Sequence, residues 1–271
     1  MKAFTSRDAY LKWFCYGDPG AGKTTLFGTA CDDARTSPVL WLDCGGNPES
    51  IRNRPNLPTF VVIEEVADLS PIYAWLKAGQ PMEVPSKDGT SMRKPVFVKK
   101  CEELGIPLTA PYKTVVLDGY TELQRIAVNE IVGNVGKLPG DDLAKVELQQ
   151  WGDALNRIVY VTQLFTKLPM HVLTTCLEDD KTDSKAQTIR TVPWLWGQAK
   201  EEVPGYNLLV TRMIRYVELP QQSKKLFDGD VYSVVFIDQL GNFMAKEQYG
   251  KLPKYMAVPT VTKFLDAIYP Q

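Results

Sequence analysis

The sequence predicts an α/β protein built on a mostly parallel β-sheet that is flanked by helices. Apolar, β-branched runs alternate with helical patterns along the chain. A glycine-rich loop joins the first such strand and helix, and a later strand ends in a single acid. With 271 residues, 44% of them hydrophobic, and no internal repeat, the chain can bury one large core. We therefore expect a single domain over residues 1–271.

Strand and helix patterns alternate through the first part of the chain. Residues 11–16 read as a buried strand and residues 24–30 as the helix that follows. Residues 38–43 and 59–63 are predicted as two further strands, and residues 67–77 as a helix. This order is typical of βαβ units around a parallel sheet.

The segment between the first strand and helix matches the phosphate-binding loop pattern G-x-x-x-x-G-K-[ST]. Backbone N–H groups of such a loop cradle phosphates, the lysine reaches the β and γ oxygens, and the threonine hydroxyl binds Mg²⁺. A chain of this length matches the pattern by accident roughly 1% of the time. We predict that ATP and Mg²⁺ bind here, with contacts from Gly17, Asp18, Pro19, Gly20, Ala21, Gly22, Lys23, Thr24 and Thr25.

A second motif is expected to complete the nucleotide site. Residues 114–118 form a β-branched run that ends in Asp118. A carboxylate at the end of a parallel strand can hold Mg²⁺ beside the phosphate loop, so Thr24 and Asp118 are the predicted metal ligands. Gly119 follows Asp118, so the Asp-Glu pair of AAA+ motors is missing. The chain has no Asn-Lys-x-Asp motif, which disfavours a GTPase.

The second half of the chain is expected to continue the sheet. Residues 147–167 show the spacing of a long amphipathic helix. Residues 171–176 read as a buried strand whose end carries Thr174 and Thr175, which are candidate γ-phosphate sensors or ordinary strand-end hydrogen-bonding groups. Predicted strands at 213–217 and 231–237 precede a closing helix at 260–268, and antiparallel pairing there would extend the sheet.

Two stretches look inserted. Residues 79–110 predict a hairpin turning at Asp88-Gly89, with arms near 82–85 and 95–98. Its basic residues either contact a phosphate backbone or form a solvated face, and we favour the solvated face. These basic residues are Lys87, Arg93, Lys94, Lys99 and Lys100. Residues 177–188 are polar without periodicity and predict a mobile loop.

Composition excludes several classes of protein. The N-terminus has no apolar signal region and no run is long enough to cross a membrane, so we expect a cytoplasmic protein. Five scattered cysteines predict reduced thiols, and a single histidine, His171, makes zinc improbable and is interpreted as structural. The net charge of −1 means that nucleic-acid contacts would depend on local patches.

Four segments resemble phage-encoded RecA-like ATPases, the single-strand-annealing or recombination ATPases related to RecA and RadA. The segments are residues 17–25, 117–123, 193–198 and 245–253. The resemblance implies a RecA-like P-loop NTPase core, a homo-oligomeric ring or filament, single-stranded DNA as partner, a phage replication or annealing protein as a further partner, and the host cytoplasm. It also places DNA contact in the loop after the sensor strand, at Lys181, Lys185 and Arg190.

The same resemblance gives Lys246 a role between subunits. Its segment resembles the Lys-Asn-Arg-Phe-Gly motif of RadA relatives, which lies close to a neighbouring subunit's nucleotide. Lys246 would then stabilise charge on the transferring phosphoryl group in trans. This chain has Gln248 at the arginine position, and a surface lysine after a hairpin at Gly241-Asn242 is the alternative.

The carboxylate that activates water is not fixed by the resemblance. Relatives often carry a glutamate in an Asp-x-Glu-Gly-Gly arrangement, and Gly45 stands at that position here. Asp43 or Glu49 is the candidate for orienting the attacking water. If neither reaches the water, the protein would be a nucleotide-gated binder with little turnover.

The sequence therefore predicts an ATP-hydrolysing RecA-like protein that acts on single-stranded DNA in phage recombination or replication. A nucleotide-switched scaffold or loader that binds a protein partner is the alternative, and a small-molecule kinase is disfavoured because no Arg-rich lid is evident. Trp194 and Trp196 either stack bases or, as we favour, pack in the core or at a protomer contact.

Overall fold

A central β-sheet organises the computed structural model, which describes residues 10–45, 49–108, 111–137, 145–183, 188–216, 232–238 and 242–270. Within these residues, ten strands form one sheet and two short strands form a separate hairpin. The strands of the sheet are β1 (Lys12–Gly17), β2 (Val39–Asp43), β3 (Thr59–Val62), β6 (Thr114–Asp118), β7 (His171–Asp183), β8 (Thr188–Pro193), β9 (Leu209–Tyr216), β10 (Tyr232–Phe236), β11 (Lys246–Glu247) and β12 (Tyr255–Ala257); the hairpin consists of β4 (Val84–Pro85) and β5 (Met92–Arg93).

The main path of the sheet runs in the order β12-β10-β9-β1-β7-β6-β2-β3. Strands β9, β1, β7, β6, β2 and β3 are mutually parallel. Strands β10 and β11 pair antiparallel with β9, and β12 pairs antiparallel with β10. This is the α/β architecture that the sequence predicted, a mostly parallel sheet flanked by helices with antiparallel strands toward the C-terminal end. The carboxyl ends of the parallel strands meet at one edge of the sheet, which we call the carboxyl edge.

Helices cover both faces of the sheet and divide the hydrophobic core in two. On one face, the Trp13 ring packs on Phe27 and Phe264, with ring centroids 5.1 and 4.0 Å away. On the other face, Phe14 packs edge-on against Tyr120. The helices are α1 (Lys23–Gly28), α2 (Glu49–Arg52), α3 (Leu69–Lys77), α4 (Val96–Glu103), α5 (Tyr120–Val132), α6 (Leu148–Phe165), α7 (Ala199–Gly205) and α8 (Val261–Ile268).

Burial on both faces explains why the strands read as continuous apolar runs. Every residue of β1, β2 and β6 is buried. A parallel strand covered on both sides has no polar face, so its sequence does not alternate. The predicted strands of the sheet and the predicted long helix are confirmed to within a few residues, except that β7 continues to Asp183. Helices α2, α4, α5 and α7 were not predicted.

The insertion between α3 and β6 differs from its predicted form. A two-stranded hairpin is present, and Gly89 lies in its turn with a φ of 70°. Its second arm is β5, however, and residues 95–98 begin helix α4 instead. Pro95 precedes that helix at the N-cap position, where its missing N–H costs nothing.

The prediction of a mobile loop over residues 177–188 is wrong for the described residues of that range. Strand β7 continues to Asp183 and pairs antiparallel with β8, from Glu178 opposite Pro193 to Asp183 opposite Thr188. We call this ribbon the β7–β8 hairpin. Its sequence lacked a strand signal because the described outer residues Asp179, Asp180, Lys181, Ile189 and Arg190 are exposed and show no apolar alternation. Lys185 lies outside the described residues.

No helix in the described ranges is long and apolar enough to cross a membrane. The predicted hairpin turn at Gly241 lies outside the described residues, as do the ends of two predicted strands at positions 217 and 231.

Candidate functional site

The phosphate loop connects the end of β1 with α1 at the carboxyl edge. At two positions of the loop, neighbouring atoms leave no room for a side chain, so glycine is required. A Cβ at Gly17 would lie 2.1 Å from the carbonyl oxygen of Met213, closer than any real contact. Gly22 has a φ of 101°, and a Cβ there would meet the Ser233 hydroxyl at 2.9 Å. Neighbouring strands β9 and β10 therefore press directly on the loop, and only glycine fits at these positions.

Hydrogen bonds hold the loop against the sheet. The Ser233 hydroxyl donates to the carbonyl oxygen of Ala21 at 2.7 Å. The Lys23 ammonium donates to the carbonyl oxygens of Gly17 at 2.7 Å and Asp18 at 2.8 Å. Burial lowers the pKa of Lys23 from its ordinary value. The lysine thus lies inside the curve of the loop, with its charge directed at the loop's own backbone.

Thr24 and Asp118 meet at the carboxyl edge. The Thr24 hydroxyl donates to Asp118 Oδ2 at 3.2 Å. The Thr175 hydroxyl donates to Asp118 Oδ1 and accepts the N–H of Gly119 at 2.9 Å. Burial raises the pKa of Asp118, the hydrogen bond from Thr175 opposes this rise, and the nearby Asp43 charge adds to it. Thr24 of the loop and the acid at the end of β6, 94 residues apart in sequence, thus belong to one cluster.

Asp43 is the second carboxylate of this cluster. It lies opposite Asp118 in the register of β2 and β6, so both side chains are on the same face of the sheet. It is buried, and its Oδ1 accepts the N–H of Gly45 at 3.2 Å. Two carboxylates and a threonine hydroxyl are hard oxygen donors, the kind that Mg²⁺ prefers. The side chains at this edge therefore fit the metal ion that the motifs imply.

Family comparison agrees with this geometry. The model of a protein family described as AAA domain matches residues 9–225, which include the phosphate loop, Asp43, Asp118 and the β7–β8 hairpin. The chain belongs to this AAA domain family. It is accordingly a P-loop ATPase-type domain.

Two solved structures are similar to this AAA domain, both at low similarity. A KaiC-like protein from Pyrococcus horikoshii OT3 is 8% identical, with a TM-score of 0.42, 90% of this chain covered and 82% of that chain. The flagellar accessory protein FlaH from Methanocaldococcus jannaschii is 9% identical, with a TM-score of 0.37 and coverages of 90% and 83%. A search of curated proteins found no match. The family assignment rests on the sequence match.

The AAA domain does not bring all the predicted catalytic residues together. Thr174 is one residue before Thr175, so it faces the opposite side of the sheet from Asp118. Glu49 begins α2, is exposed and forms an ion pair with Arg52 at 2.6 Å. The cluster at the carboxyl edge thus contains Thr175 and Asp43 but not Thr174.

Lys246 lies away from the phosphate loop of its own chain. It pairs with Val210 of β9, which is level with Phe14 of β1, three residues before Gly17. Its ammonium donates to the carbonyl oxygen of Gly205 at 2.7 Å, and burial lowers its pKa. Lys246 is therefore not part of the carboxyl-edge cluster of its own chain.

The β7–β8 hairpin carries the described DNA-binding candidates. Lys181 and Arg190 are direct cross-strand partners, and both are exposed. The same ribbon carries Asp179 and Asp180, and Asp180 accepts a hydrogen bond from the Thr191 hydroxyl at 2.9 Å. The described surface of the hairpin is therefore of mixed charge.

Sequence reasoning missed Glu122, in the first turn of α5. Its side chain lies beside Gly45, since a Cβ at Gly45 would be 3.3 Å from Glu122 Cβ and Cγ. The carboxylate forms an ion pair with Arg125 at 2.7 Å and is about one-third exposed. One feature of the sequence could have indicated it: Glu122 stands four residues after Asp118. A helix that starts at the carboxyl edge places a residue of its first turn close to that edge.

Glu122 is also linked to the base of the β7–β8 hairpin. The Arg125 guanidinium lies over the Trp194 ring, 5.3 Å from its centroid. The backbone N–H of Trp194 donates to the carbonyl oxygen of Leu177 at 2.7 Å. The backbone carbonyl oxygen of Trp194 accepts hydrogen bonds from the side chains of Thr121 and Gln124. Trp196, in contrast, packs edge-on against Trp151 at 4.3 Å. Trp194 thus joins the hairpin to the helix that carries Glu122.

Proposed function

We propose that this AAA domain binds ATP with Mg²⁺ at the carboxyl edge, hydrolyses it, and acts on single-stranded DNA in phage recombination or replication. The hydrogen bond between Thr24 and Asp118 is the observation that carries the nucleotide part. It joins the helix that leaves the phosphate loop to the acid at the end of β6, so the two motifs act on one ligand.

Each residue of the cluster has a role that follows from its chemistry. When ATP binds, the Lys23 ammonium would leave the loop carbonyl oxygens and donate hydrogen bonds to the β and γ phosphate oxygens. The negative charge of the phosphates would stabilise the buried ammonium. Thr24 and Asp118 would hold Mg²⁺, with Asp43 beside them. The ion, when bound, neutralises charge on the phosphates. Thr175 fixes the Asp118 carboxylate in place.

A carboxylate must orient the attacking water. Asp43 is buried and accepts the Gly45 N–H, which suits a structural or metal-shell role. Glu49 is exposed and paired with Arg52. Glu122 is only partly exposed and lies against Gly45 at the carboxyl edge. We favour Glu122 over the two acids that the sequence suggested.

The DNA part of the proposal rests on the resemblance and on the β7–β8 hairpin. Lys181 and Arg190 place two cations side by side on an exposed ribbon, and Lys185 adds a third by sequence. A homo-oligomer, as a ring or filament, would place Lys246 near a neighbouring subunit's nucleotide. A phage replication or annealing protein is the further partner that the resemblance implies.

A nucleotide-switched scaffold is the second candidate, and one observation favours it. On the described surface of the hairpin, Asp179 and Asp180 are exposed beside the cations Lys181 and Arg190, whereas Glu178 is mostly buried and paired with Arg212. The two exposed acids offset the two cations, and a surface of balanced charge suits a protein partner better than a phosphate backbone.

Steady-state ATP hydrolysis with and without single-stranded DNA separates the two functions. The assay belongs at low salt, because phosphate contacts weaken steeply with ionic strength. Lys23→Ala is the blank for contaminating hydrolysis. Stimulation by DNA supports the DNA-dependent ATPase. A rate that DNA does not change favours the scaffold, and hydrolysis equal to that of Lys23→Ala contradicts the ATPase proposal.

A further inference from the structure

A cleft of about 550 Å³ opens directly from the phosphate loop. Gly20, Gly22 and Thr25 form its wall on the loop side, and Arg215, Val258 and Pro259 form the opposite wall. Binding clefts for small molecules typically measure roughly 300 to 1,000 Å³. The cleft continues the phosphate loop away from Asp118, because Thr25 and not Thr24 lines it.

Val258 is held in an unusual conformation at this cleft. Its φ is 45°, in the left-handed region that β-branched residues avoid. The N–H of Val258 donates to the carbonyl oxygen of Ser233 at 2.9 Å, and the Lys263 ammonium donates to the Val258 carbonyl oxygen at 2.7 Å. These bonds fix the backbone, and the apolar residue nevertheless remains 54% exposed. Strain that is maintained without burying the side chain is typical of a binding site.

The two walls of the cleft are fastened to each other. Ser233, whose carbonyl holds Val258, also donates its hydroxyl to Ala21 of the phosphate loop. The Val261 N–H donates to the Thr29 hydroxyl at 2.8 Å, which ties the start of α8 to the segment after α1. The width of the cleft is therefore set by the fold, and a flat ligand would meet preformed walls.

We propose that this cleft holds the nucleoside part of the nucleotide, with the base against Val258 and Pro259 and Arg215 at the rim. The inference rests on the proposed function, since it deepens the same site. Apolar contact and cation stacking act on the face of any base. Val258 and Arg215 are thus positions where this chain distinguishes a nucleoside triphosphate from bare phosphate chains.

Binding of Mg-ATP and of inorganic tripolyphosphate to Val258→Gly and Arg215→Met tests the proposal. Glycine accepts the φ of Val258 without strain, so the first variant should fold normally. Both variants should bind ATP about tenfold more weakly, while tripolyphosphate binding stays within about twofold of wild type. Val135→Gly is the matched control, because Val135 is a similarly exposed valine in a turn that does not line the cleft.

The outcomes separate this inference from the proposed function. If wild-type protein binds neither ligand, the proposed function fails and the inference with it. If wild type binds both ligands and the two variants bind ATP as tightly as Val135→Gly does, the cleft inference alone is overturned. Equal loss of ATP and tripolyphosphate in the variants would overturn it too, because the damage would then lie in the loop.

Discussion

At the scale of single residues, Gly45 and Glu122 form a complementary pair at the carboxyl edge. Gly45 has a φ of 119°, which is unfavourable for any side chain, and the stem of Glu122 fills the space beside it. Glu122, although it belongs to α5, therefore lies next to Gly45, two residues after Asp43. Arg125, three residues later on the same helix, fixes its carboxylate.

We predict that Glu122→Gln lowers kcat for ATP hydrolysis about a hundredfold, because general-base groups typically contribute factors of this size. The amide keeps the shape of the side chain, so affinity for Mg-ATP should stay within about twofold. Single-turnover rates and equilibrium binding measure the two effects separately. Glu49→Gln is the matched control, and a loss of kcat in that variant with normal turnover in Glu122→Gln would reverse our assignment.

His171 gives the residue scale a second prediction, about stability. Its Nδ1 accepts the N–H of Leu11 at 3.0 Å, which only the neutral ring can do. Burial and then the Lys12 charge lower its pKa to about 4. The folded pKa is below the unfolded value near 6.5, so the stabilisation is complete above pH 6.5 and is lost as the pH falls toward 4.

Between pH 7 and 5.5 the loss from His171 should be about 1 kcal/mol. His171→Asn keeps an acceptor for Leu11 and removes the titration, and His171 is the single histidine of the chain. Urea unfolding of both proteins at several pH values measures the difference, in which the buried carboxylates cancel. The same pH dependence in wild type and variant would show that this ring does not titrate as we expect.

At the scale of elements, sequence reasoning succeeded where burial imposes a pattern. Strands β1, β2 and β6 are buried on both faces, so their apolar runs were evident. The outer β7–β8 hairpin has no such burial and read as a loop. Phosphate-loop residues were predictable because their chemistry is local, whereas the contact of Glu122 with Gly45 depends on how α5 leaves β6 and has no local pattern.

The β7–β8 hairpin is the element on which DNA binding can be tested. We predict that Lys181→Glu combined with Arg190→Glu weakens binding of single-stranded DNA. The slope of log affinity against log salt should become shallower by about 1.4, as expected for two lost contacts with a single strand. Filter binding over a range of salt concentrations measures it, and DNA-free ATP hydrolysis should not change.

Lys99→Glu combined with Lys100→Glu is the control for the hairpin prediction. Both lysines are exposed on α4, and the double change alters the net charge by the same amount. DNA affinity should therefore differ between the two double variants only if the hairpin is a specific DNA-binding site. Equal losses would indicate a general charge effect, and a greater loss in the α4 variant would move the DNA surface to the insertion.

At the scale of the whole molecule, the strand order places the nucleotide cluster and Lys246 in different regions. Asp43 and Asp118 end β2 and β6, and Thr175 lies on β7, all on one side of β1. Lys246 lies on the other side of β1, beside the start of β9, so within one chain it is separate from the cluster. A head-to-tail assembly, in which each subunit presents a different surface to its neighbour, removes this difficulty.

Mixing two inactive variants tests this arrangement. We predict that Lys23→Ala and Lys246→Ala are each deficient in hydrolysis, and that an equal mixture regains about a quarter of wild-type activity, as expected when each site takes Lys23 and Lys246 from different subunits at random. Activity should appear only after the subunits have had time to exchange. Lys251→Ala replaces Lys246→Ala in the control mixture, where Lys251→Ala alone should be active. If Lys246→Ala alone hydrolyses ATP at the wild-type rate, Lys246 is the surface lysine of the alternative interpretation; if the mixture stays inactive, the two lysines serve the same subunit.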